Sequence, residues 1–170
     1  MNKVINLLES IGEKVGKAVS YLTTALMLLI CYDVLMRYFF DSSQIWMTEL
    51  EIYFYSFIFL LGSAYAFNKD KHVRVDVFYA KFSPKKKAWT NLIGGLFLLL
   101  PWCVVILIVS FDYAMTSFNI GEGSAQPGGL PALYILKFSI FVGFLLLFLQ
   151  GIASVLKSIL VLREGSELRG

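Results

Sequence analysis

The segment from Arg37 to Asp76, RYFFDSSQIWMTELEIYFYSFIFLLGSAYAFNKDKHVRVD, determines how the rest of the chain is organised. It places charged residues on both sides of an uncharged run from Ile52 to Asn68. A run of about this length crosses the hydrocarbon core of a bilayer as a helix. The segment therefore predicts a transmembrane helix for which both membrane interfaces can be recognised.

The whole chain has the composition of a membrane protein. Of its 170 residues, 58% are hydrophobic and 16% are charged, whereas about a quarter of the residues in a soluble domain are charged. Four apolar stretches are long enough to cross a bilayer as helices. They predict an all-α integral membrane protein with a single four-helix domain over residues 1–170, with spans at about 18–40, 47–68, 84–115 and 131–158.

Basic residues are distributed unequally over the loops. Of the 15 Lys and Arg residues, all but Arg37 and Lys137 lie before the first predicted span, around the connection between the second and third, or at the C-terminal end of the chain. Cytoplasmic loops of multi-pass proteins carry an excess of Lys and Arg. Both termini are therefore predicted to lie in the cytoplasm. A nucleic-acid site in the middle basic loop is disfavoured, because that loop directly joins two spans.

Residues 2–17 have apolar side chains at helical spacing, with polar side chains around the rest of the helical wheel. This pattern fits an N-terminal amphipathic helix that lies on the membrane surface. It also fits a frayed tail or a simple extension of the first span, because Gly12 and Gly16 weaken a helix. The sequence leaves these alternatives open.

Ionisable residues near the facing ends of the first two spans are candidates for a structural or assembly role. Asp33 and Arg37 are four residues apart on one helix face, so they can neutralise each other. The alternative partner for Arg37 is Glu49 or Glu51 of the next span. Both glutamates lie near the start of the second helix, where the helix dipole favours acids, and Thr48 or a neighbour is expected to cap that helix.

Serine, proline and glycine residues in the second half of the chain indicate where helices begin, bend or end. Ser83 and Pro84 are a start signal for the third helix, and Pro101 is expected to kink it. The segment 119–131 is rich in glycine and proline, and it is either a partner-binding loop or a simple connector. Pro131 suits the first turn of the fourth helix, and Lys137 is expected to pair with an acid or reach the interface.

Several of these features, in this order, resemble the DctQ-like small membrane subunit of TRAP (tripartite ATP-independent periplasmic) transporters. The resemblance is carried by Arg37-Tyr38, Trp46, Thr48-Glu49, Gly62, Ala64-Tyr65-Ala66 and His72-Val73-Arg74-Val75-Asp76. The last run is the most specific part, and the match covers roughly residues 18–156. Family members often carry two adjacent acids after the Trp-Thr pair, whereas Leu50 separates the two acids here.

The resemblance implies a multi-pass small permease subunit in the bacterial inner membrane. It implies a membrane scaffold for a large transport subunit, in sodium-driven uptake of an organic acid, a carboxylate in particular, delivered by a periplasmic binding protein. Membrane lipids are the other expected partner. The predicted partner or assembly residues are Arg37, Trp46, Glu49, Glu51, Gly62, His72, Arg74 and Asp76.

Large apolar faces on two spans are expected to form a fixed wall for the partner subunit. Close packing at glycines and polar contacts at the interfaces would hold the two proteins together, because lipid is as apolar as leucine and gives no hydrophobic drive for association. The wall is expected to include Phe54, Phe57, Phe59 and Leu61 in the second span, and Phe138, Phe141, Phe144 and Phe148 in the fourth.

The residue inventory disfavours an enzyme. His72 is the only histidine in this sequence. The sequence therefore lacks the side chains for a multi-histidine metal site, and it also disfavours a histidine-based catalytic triad. The spans carry almost no polar group at the depth where a transporter binds its substrate, and no catalytic, substrate-binding or metal residue and no cofactor is predicted. The alternative function is a small self-assembling four-helix proton-coupled exporter, for which Asp33 is the candidate membrane-embedded acid.

Overall fold

A computed structural model describes residues 2–69, 79 and 81–167 of the chain. These residues form four long helices, α1 (Asn2–Phe40), α2 (Ile45–Asn68), α3 (Pro84–Asn119) and α4 (Tyr134–Glu167). All four are long and apolar enough to cross a membrane. No strand occurs in the described part of the chain. The predicted all-helical fold with four spans is confirmed.

The helices alternate in direction, so their termini gather at two ends of the bundle. We call the end that holds residues 2–17, 81–87 and 157–163 the basic end. The opposite end, which holds the turn 41–44 and the loop 120–133, is called the loop end. The unequal distribution of basic residues along the sequence therefore coincides with the two ends of the folded bundle.

Helix α1 is continuous from the first described residue to Phe40. Its 39 residues correspond to ~58 Å at the helical rise, well beyond the ~30 Å of a bilayer core. Residues 2–17 thus extend the first span and do not form a separate surface helix. Gly12 and Gly16 are packing points here, since a Cβ at Gly12 would lie 2.6 Å from Gln150 Nε2 and one at Gly16 would overlap the ring of Tyr65. This packing offsets the low helix propensity of glycine.

Helix α3 contains one π-helical turn, Gly95–Leu99, just before Pro101. Proline has no N–H, and its ring clashes with the carbonyl group four residues earlier, which here belongs to Phe97. In the wider π turn the N–H of Leu100 donates to the carbonyl of Gly95. The irregularity predicted at Pro101 is therefore accommodated as a π turn within one long helix.

Local sequence signals set several helix ends. The hydroxyl of Ser83 accepts a hydrogen bond from the N–H of Lys86 at 3.4 Å, and Pro84 is the first residue of α3, as predicted. Asp41 follows α1 in the left-handed conformation, with φ at 48°. The N–H of Ser42 then donates to the carbonyl of Met36, six residues earlier, at 3.3 Å, which closes a wide backbone turn at the C-terminal end of α1.

Three further left-handed residues, Gly121, Gly128 and Ala132, lie in the loop between α3 and α4. Gly121 follows α3 with φ at 61°, a conformation that glycine adopts without strain. Ala132 has φ at 67°, which cannot continue into a right-handed helix. Helix α4 therefore begins at Tyr134, and Pro131 lies in the loop instead of the first helical turn.

Helix α4 is at the centre of the packing. It contacts α1, α2 and α3, whereas α3 packs almost entirely on α4. The most apolar window of α4 is 33% buried, against 11% in each of the other spans. Gly143 allows close approach to α2, because a Cβ there would lie 2.9 Å from the Cβ of Leu60. The Phe141 ring packs on the Phe111 ring of α3, with 5.4 Å between centroids, so Phe141 belongs to the interior contact and not to an open wall.

Candidate assembly site

At the loop end, Glu49 of α2 holds the loop 120–133 against the helix. Its Oε2 accepts a hydrogen bond from the N–H of Leu130 at 2.6 Å, and its Oε1 accepts one from the hydroxyl of Ser124. Hydrogen bonds to a carboxylate are stronger than those between neutral groups. The cap predicted from Thr48 is not formed, since the N-cap residue is Gln44, which makes no side-chain capping bond. Glu49 thus stabilises the tertiary structure, because it joins the loop to α2 instead of capping the helix.

A second contact joins the same loop to α4. Lys137 Nζ donates to Glu122 Oε2 and lies 4.0 Å from the centroid of the Tyr113 ring. Lys137 is only 8% exposed despite its charge. The pKa of the Glu122 carboxyl is lowered from its ordinary value, chiefly by the hydrogen bond from Lys137. The acid partner expected for Lys137 is therefore Glu122.

Asp33 and Arg37 form the ion pair predicted from their spacing, with 2.6 Å between Arg37 Nη2 and Asp33 Oδ2. Asp33 is buried, whereas half of the Arg37 side chain is exposed and can reach the interface. The pair lies within α1, so Arg37 does not use Glu49 or Glu51 as its partner. Asp33 Oδ1 and Glu51 Oε1 are buried and have no hydrogen-bond partner within the described residues.

The other predicted assembly residues lie away from these contacts. Trp46 is 38% exposed at the loop end. Gly62 faces α1, where an added Cβ would lie 3.8 Å from Val19 Cγ1, at ordinary van der Waals distance. Three further predicted residues lie outside the described part of the chain, namely His72, Arg74 and Asp76. Glu51 interacts electrostatically with Asp33 and Arg37, whereas Glu49 of α2 bonds to the loop 120–133.

At the basic end, the extended part of α1 is joined to α2 and α4. Glu9 pairs with Lys157 at 3.0 Å, and Glu13 pairs with Lys69. The buried side chain of Gln150 donates from Nε2 to a backbone carbonyl of α1 at 2.5 Å. The sequence analysis missed these residues because their partners are 56 to 148 positions apart. Gln150, a lone amide inside an apolar span, is the one sequence signal that could have indicated such a contact.

Several serine hydroxyl groups inside the spans are bonded to their own helices. Ser63, Ser110 and Ser139 each donate to the carbonyl three residues earlier. In the described residues, no group of three or more His, Cys, Asp or Glu side chains could hold a metal ion. Long-range polar contacts are found at the two ends of the bundle, where they join helices to each other or to the loop. This arrangement suits a rigid membrane component that takes part in an assembly.

The chain is similar to known transport proteins over most of its length. The family model described as "Tripartite ATP-independent periplasmic transporters, DctQ component" matches residues 26–160. A "Putative TRAP transporter small permease protein" from Haemophilus influenzae is 25% identical over 128 residues, which cover 73% of this chain and 80% of that protein. The family match includes all of α2 and α3, most of α4 and the C-terminal part of α1, and it is therefore broader than any one motif.

Proposed function

The chain belongs to the DctQ family of TRAP transporter components, and from this premise we propose that it acts as a membrane scaffold for the large transport subunit. It is a multi-pass small permease protein of this transporter class. The proposed transport reaction is sodium-driven uptake of an organic acid, in particular a carboxylate, that a periplasmic binding protein delivers. Membership of the family supports this reaction and a location in the inner membrane.

The observation that supports the scaffold role most strongly is how the polar side chains are used. Polar side chains with long-range contacts hold the chain together at its two ends, and several serine hydroxyls inside the spans are bonded to their own helices. The outward faces of α1 and α3 carry exposed large apolar side chains, among them Leu28, Leu98 and Trp102. A helix fixed at both ends keeps such a face in one position, as a wall against a moving partner requires.

Specific association with the partner would come from interfacial groups and shape, because apolar surface alone gives no preference over lipid. Arg37 and Trp46 are both accessible at the loop end, so they can contact a second protein there. Glu51 lies beside them, and His72, Arg74 and Asp76 are proposed to act at the basic end. Within the chain, Gly62 already faces α1, and so its assembly role would be to let α1 and α2 pack closely.

We propose further that both termini and the basic end face the cytoplasm, because Lys and Arg are concentrated there. The test labels single cysteines in a variant from which Cys31 and Cys103 have been removed. Lys86→Cys in intact cells should resist a membrane-impermeant reagent, whereas Gly123→Cys on the loop should react. Labelling of Lys86→Cys from the periplasm would overturn this orientation.

Reconstitution tests the scaffold function directly. Proteoliposomes with this chain alone should show no uptake of a carboxylate substrate under a sodium gradient. Addition of the large subunit and the binding protein should restore uptake, and omission of this chain should abolish it. Uptake by this chain alone would contradict the proposal.

Cross-linking shows whether the apolar faces meet the large subunit. A photoreactive amino acid at Leu28 of α1 and, separately, at Leu98 of α3 samples the two exposed faces. At least one position should give a covalent product with the large subunit in membranes. Absence of such a product from both positions, in a complex that still transports, would exclude these faces as the wall.

The alternative function, a proton-coupled exporter, would require Asp33 to bind and release a proton. An exchanging acid must be free to take and release a proton, whereas Asp33 is bonded to Arg37. Asp33→Asn should therefore reduce assembly or stability and leave the ion stoichiometry of transport by the intact complex unchanged. A changed stoichiometry would show that Asp33 takes part in coupling.

A further inference from the structure

A cavity of about 290 Å³ lies at the basic end, between parts of all four helices. Its walls include Glu9 of α1, Asn68 of α2, Lys87 of α3, and Gln150 and Lys157 of α4. The cavity is at the opposite end of the bundle from the contacts of Glu49 and Lys137. It therefore belongs to neither the loop contacts nor the exposed apolar faces discussed above.

The cavity lies at the depth of lipid headgroups. Helix α2 rises ~33 Å from Trp46 to Asn68 at 1.5 Å per residue, which is close to the ~30 Å thickness of a bilayer core. With Trp46 at one interface, Asn68 therefore lies near the other. Pro84, the first residue of α3, also lines the cavity, so the chain enters the membrane at this level.

The charged groups of the cavity leave one positive charge in excess. Two lysines and one glutamate contribute to the described walls. The carboxylate of Glu9 is 3.0 Å from Lys157 Nζ, so these two charges balance each other. Lys87 has no ion pair within the described residues, and its Nζ lies 5.4 Å from the centroid of the Tyr79 ring. Lys87 is therefore the cation that is available to an anionic group.

The neutral groups of the cavity favour a polar occupant. Gln150 is only 3% exposed and uses Nε2 for its bond to α1, while its Oε1 accepts no hydrogen bond within the described residues. Asn91, a further wall residue, pairs its amide with the hydroxyl of Tyr79. An acyl chain in this space would leave the Gln150 oxygen without a donor, which is unfavourable for a buried polar group. A group with both a negative charge and hydroxyl donors matches the walls better.

We propose that this cavity binds the headgroup of an anionic phospholipid of the phosphatidylglycerol type. The phosphodiester would lie at Lys87, and the glycerol hydroxyls would donate to Gln150 and Glu9. Basic pockets between transmembrane helices on the cytoplasmic side commonly hold anionic headgroups. The volume suits the headgroup, while the acyl chains would lie along the bundle in the surrounding lipid.

Such a lipid would connect the beginning of α1, the beginning of α3 and the second half of α4. Helix α3 packs almost entirely on α4, so a ligand that contacts both α3 and α1 adds a connection that the chain itself lacks. A ligand that binds only the folded state stabilises it by mass action. Phosphatidylglycerol is therefore expected to raise the thermal stability of the purified chain.

The test uses the purified full chain in detergent and counts bound lipid by native mass spectrometry. Phosphatidylglycerol should bind more tightly than phosphatidylcholine. Lys87→Gln should weaken phosphatidylglycerol binding about fivefold, the effect of one lysine at an anionic headgroup. Lys85→Gln is the matched control, because it removes the same charge two residues away at a position that does not line the cavity. The control variant should stay within about twofold of the wild type.

A second variant fills the space without a change of charge. Ser154 lines the cavity and is partly exposed, so Ser154→Met should lower phosphatidylglycerol binding while thermal unfolding without lipid stays near the wild-type temperature. Unchanged binding in this variant would place the lipid elsewhere. Equal weakening by Lys85→Gln and Lys87→Gln would show diffuse surface attraction and overturn the site.

Competition distinguishes a lipid from a soluble phosphate compound. Inorganic phosphate at the concentration of the lipid should not displace phosphatidylglycerol, because the acyl chains along the bundle also contribute to binding. Displacement at equal concentration would overturn the lipid assignment. Since the experiment uses the isolated chain, its failure would leave the scaffold function untouched, and failure of the reconstitution test would leave the lipid site untouched.

Discussion

The loop end and the basic end are both joined by acid–base contacts, but these contacts differ in burial. At the loop end, Lys137 has a side chain that is only 10% exposed, and Glu49 bonds directly to a backbone N–H. At the basic end, the Lys69 and Lys157 side chains are 42% and 63% exposed. Exposed ion pairs are screened by water and add little, whereas loss of one partner from a buried pair is costly. We therefore expect the loop end to depend far more on single residues.

The largest effect is expected from Lys137→Met, which keeps the length of the side chain but leaves the Glu122 carboxylate without its partner. The thermal unfolding temperature in detergent should fall on the order of 5 °C or more. Lys157→Met, a like change at the basic end, is the control and should have a clearly smaller effect. An equal decrease in the unfolding temperature of both variants would contradict the proposed difference between the two ends.

Acid sensitivity provides a second measurement on the same contact. Because the folded-state pKa of Glu122 is lowered, this group stabilises the fold above its unfolded-state pKa, and the contribution is lost as the pH falls through the lowered value. The wild type should keep this contribution at neutral pH and lose it progressively as the pH falls from the ordinary pKa of a glutamate to the lowered pKa of Glu122. In Lys137→Met this part of the pH dependence should be largely absent, as unfolding temperatures over a series of buffers would show.

A somewhat smaller and more local effect is expected from Glu49→Ala. The variant leaves the Leu130 N–H and the Ser124 hydroxyl without their acceptor, at a cost of about 2 kcal/mol for bonds to a charged group. If that energy controls loop opening, proteolysis in the loop 120–133 should be tenfold or more faster. Glu51→Gln, which changes the other acid of α2 but no loop contact, should cleave at the wild-type rate. A faster rate in both variants would contradict a specific role for Glu49.

Between the two ends, close helix packing can be tested with a pair of glycines. In Gly143→Ala the new Cβ would lie 2.9 Å from Leu60 Cβ and about as close to the Leu60 backbone, and overpacking of this kind costs roughly 1–3 kcal/mol. In Gly62→Ala the nearest atom is 3.8 Å away, so this variant should be neutral or slightly stabilised by the better helix propensity of alanine. The unfolding temperature should therefore be clearly lower for Gly143→Ala than for Gly62→Ala. Equal unfolding temperatures would show that α2 and α4 are not closely packed at Gly143.

The smallest effect is expected from Lys69→Gln at the basic end. Its pair with Glu13 is exposed on both sides, and the unfolding temperature should change by no more than about 1 °C at physiological salt. High salt should make the wild type and the variant indistinguishable. A decrease in unfolding temperature as large as that of Lys137→Met would mean that the exposed pair contributes strongly to stability.

The parts of the site that could be predicted were those encoded by near neighbours. The pair of Asp33 with Arg37 follows from helical spacing, and the Ser83 cap follows from the serine–proline sequence. The partner of Glu49 could not be found in this way, because it lies in a loop 75 to 81 residues further along the chain. The role of Gly12 and Gly16 could not be predicted for a related reason. A single sequence does not distinguish a glycine that weakens a helix from a glycine that lets a neighbouring helix approach closely.

The sequence by itself determined the four spans, their order and the concentration of basic residues at one end, because these depend on composition over short stretches. A helix satisfies its own backbone hydrogen bonds, so an apolar run of sufficient length is enough to specify a span. Only the tertiary structure decided that α4 is central, although the most apolar window belongs to α3. In lipid, an apolar face is equally stable against a helix or an acyl chain. Which faces meet is therefore decided by shape, by small residues such as Gly143, and by the polar contacts at the two ends.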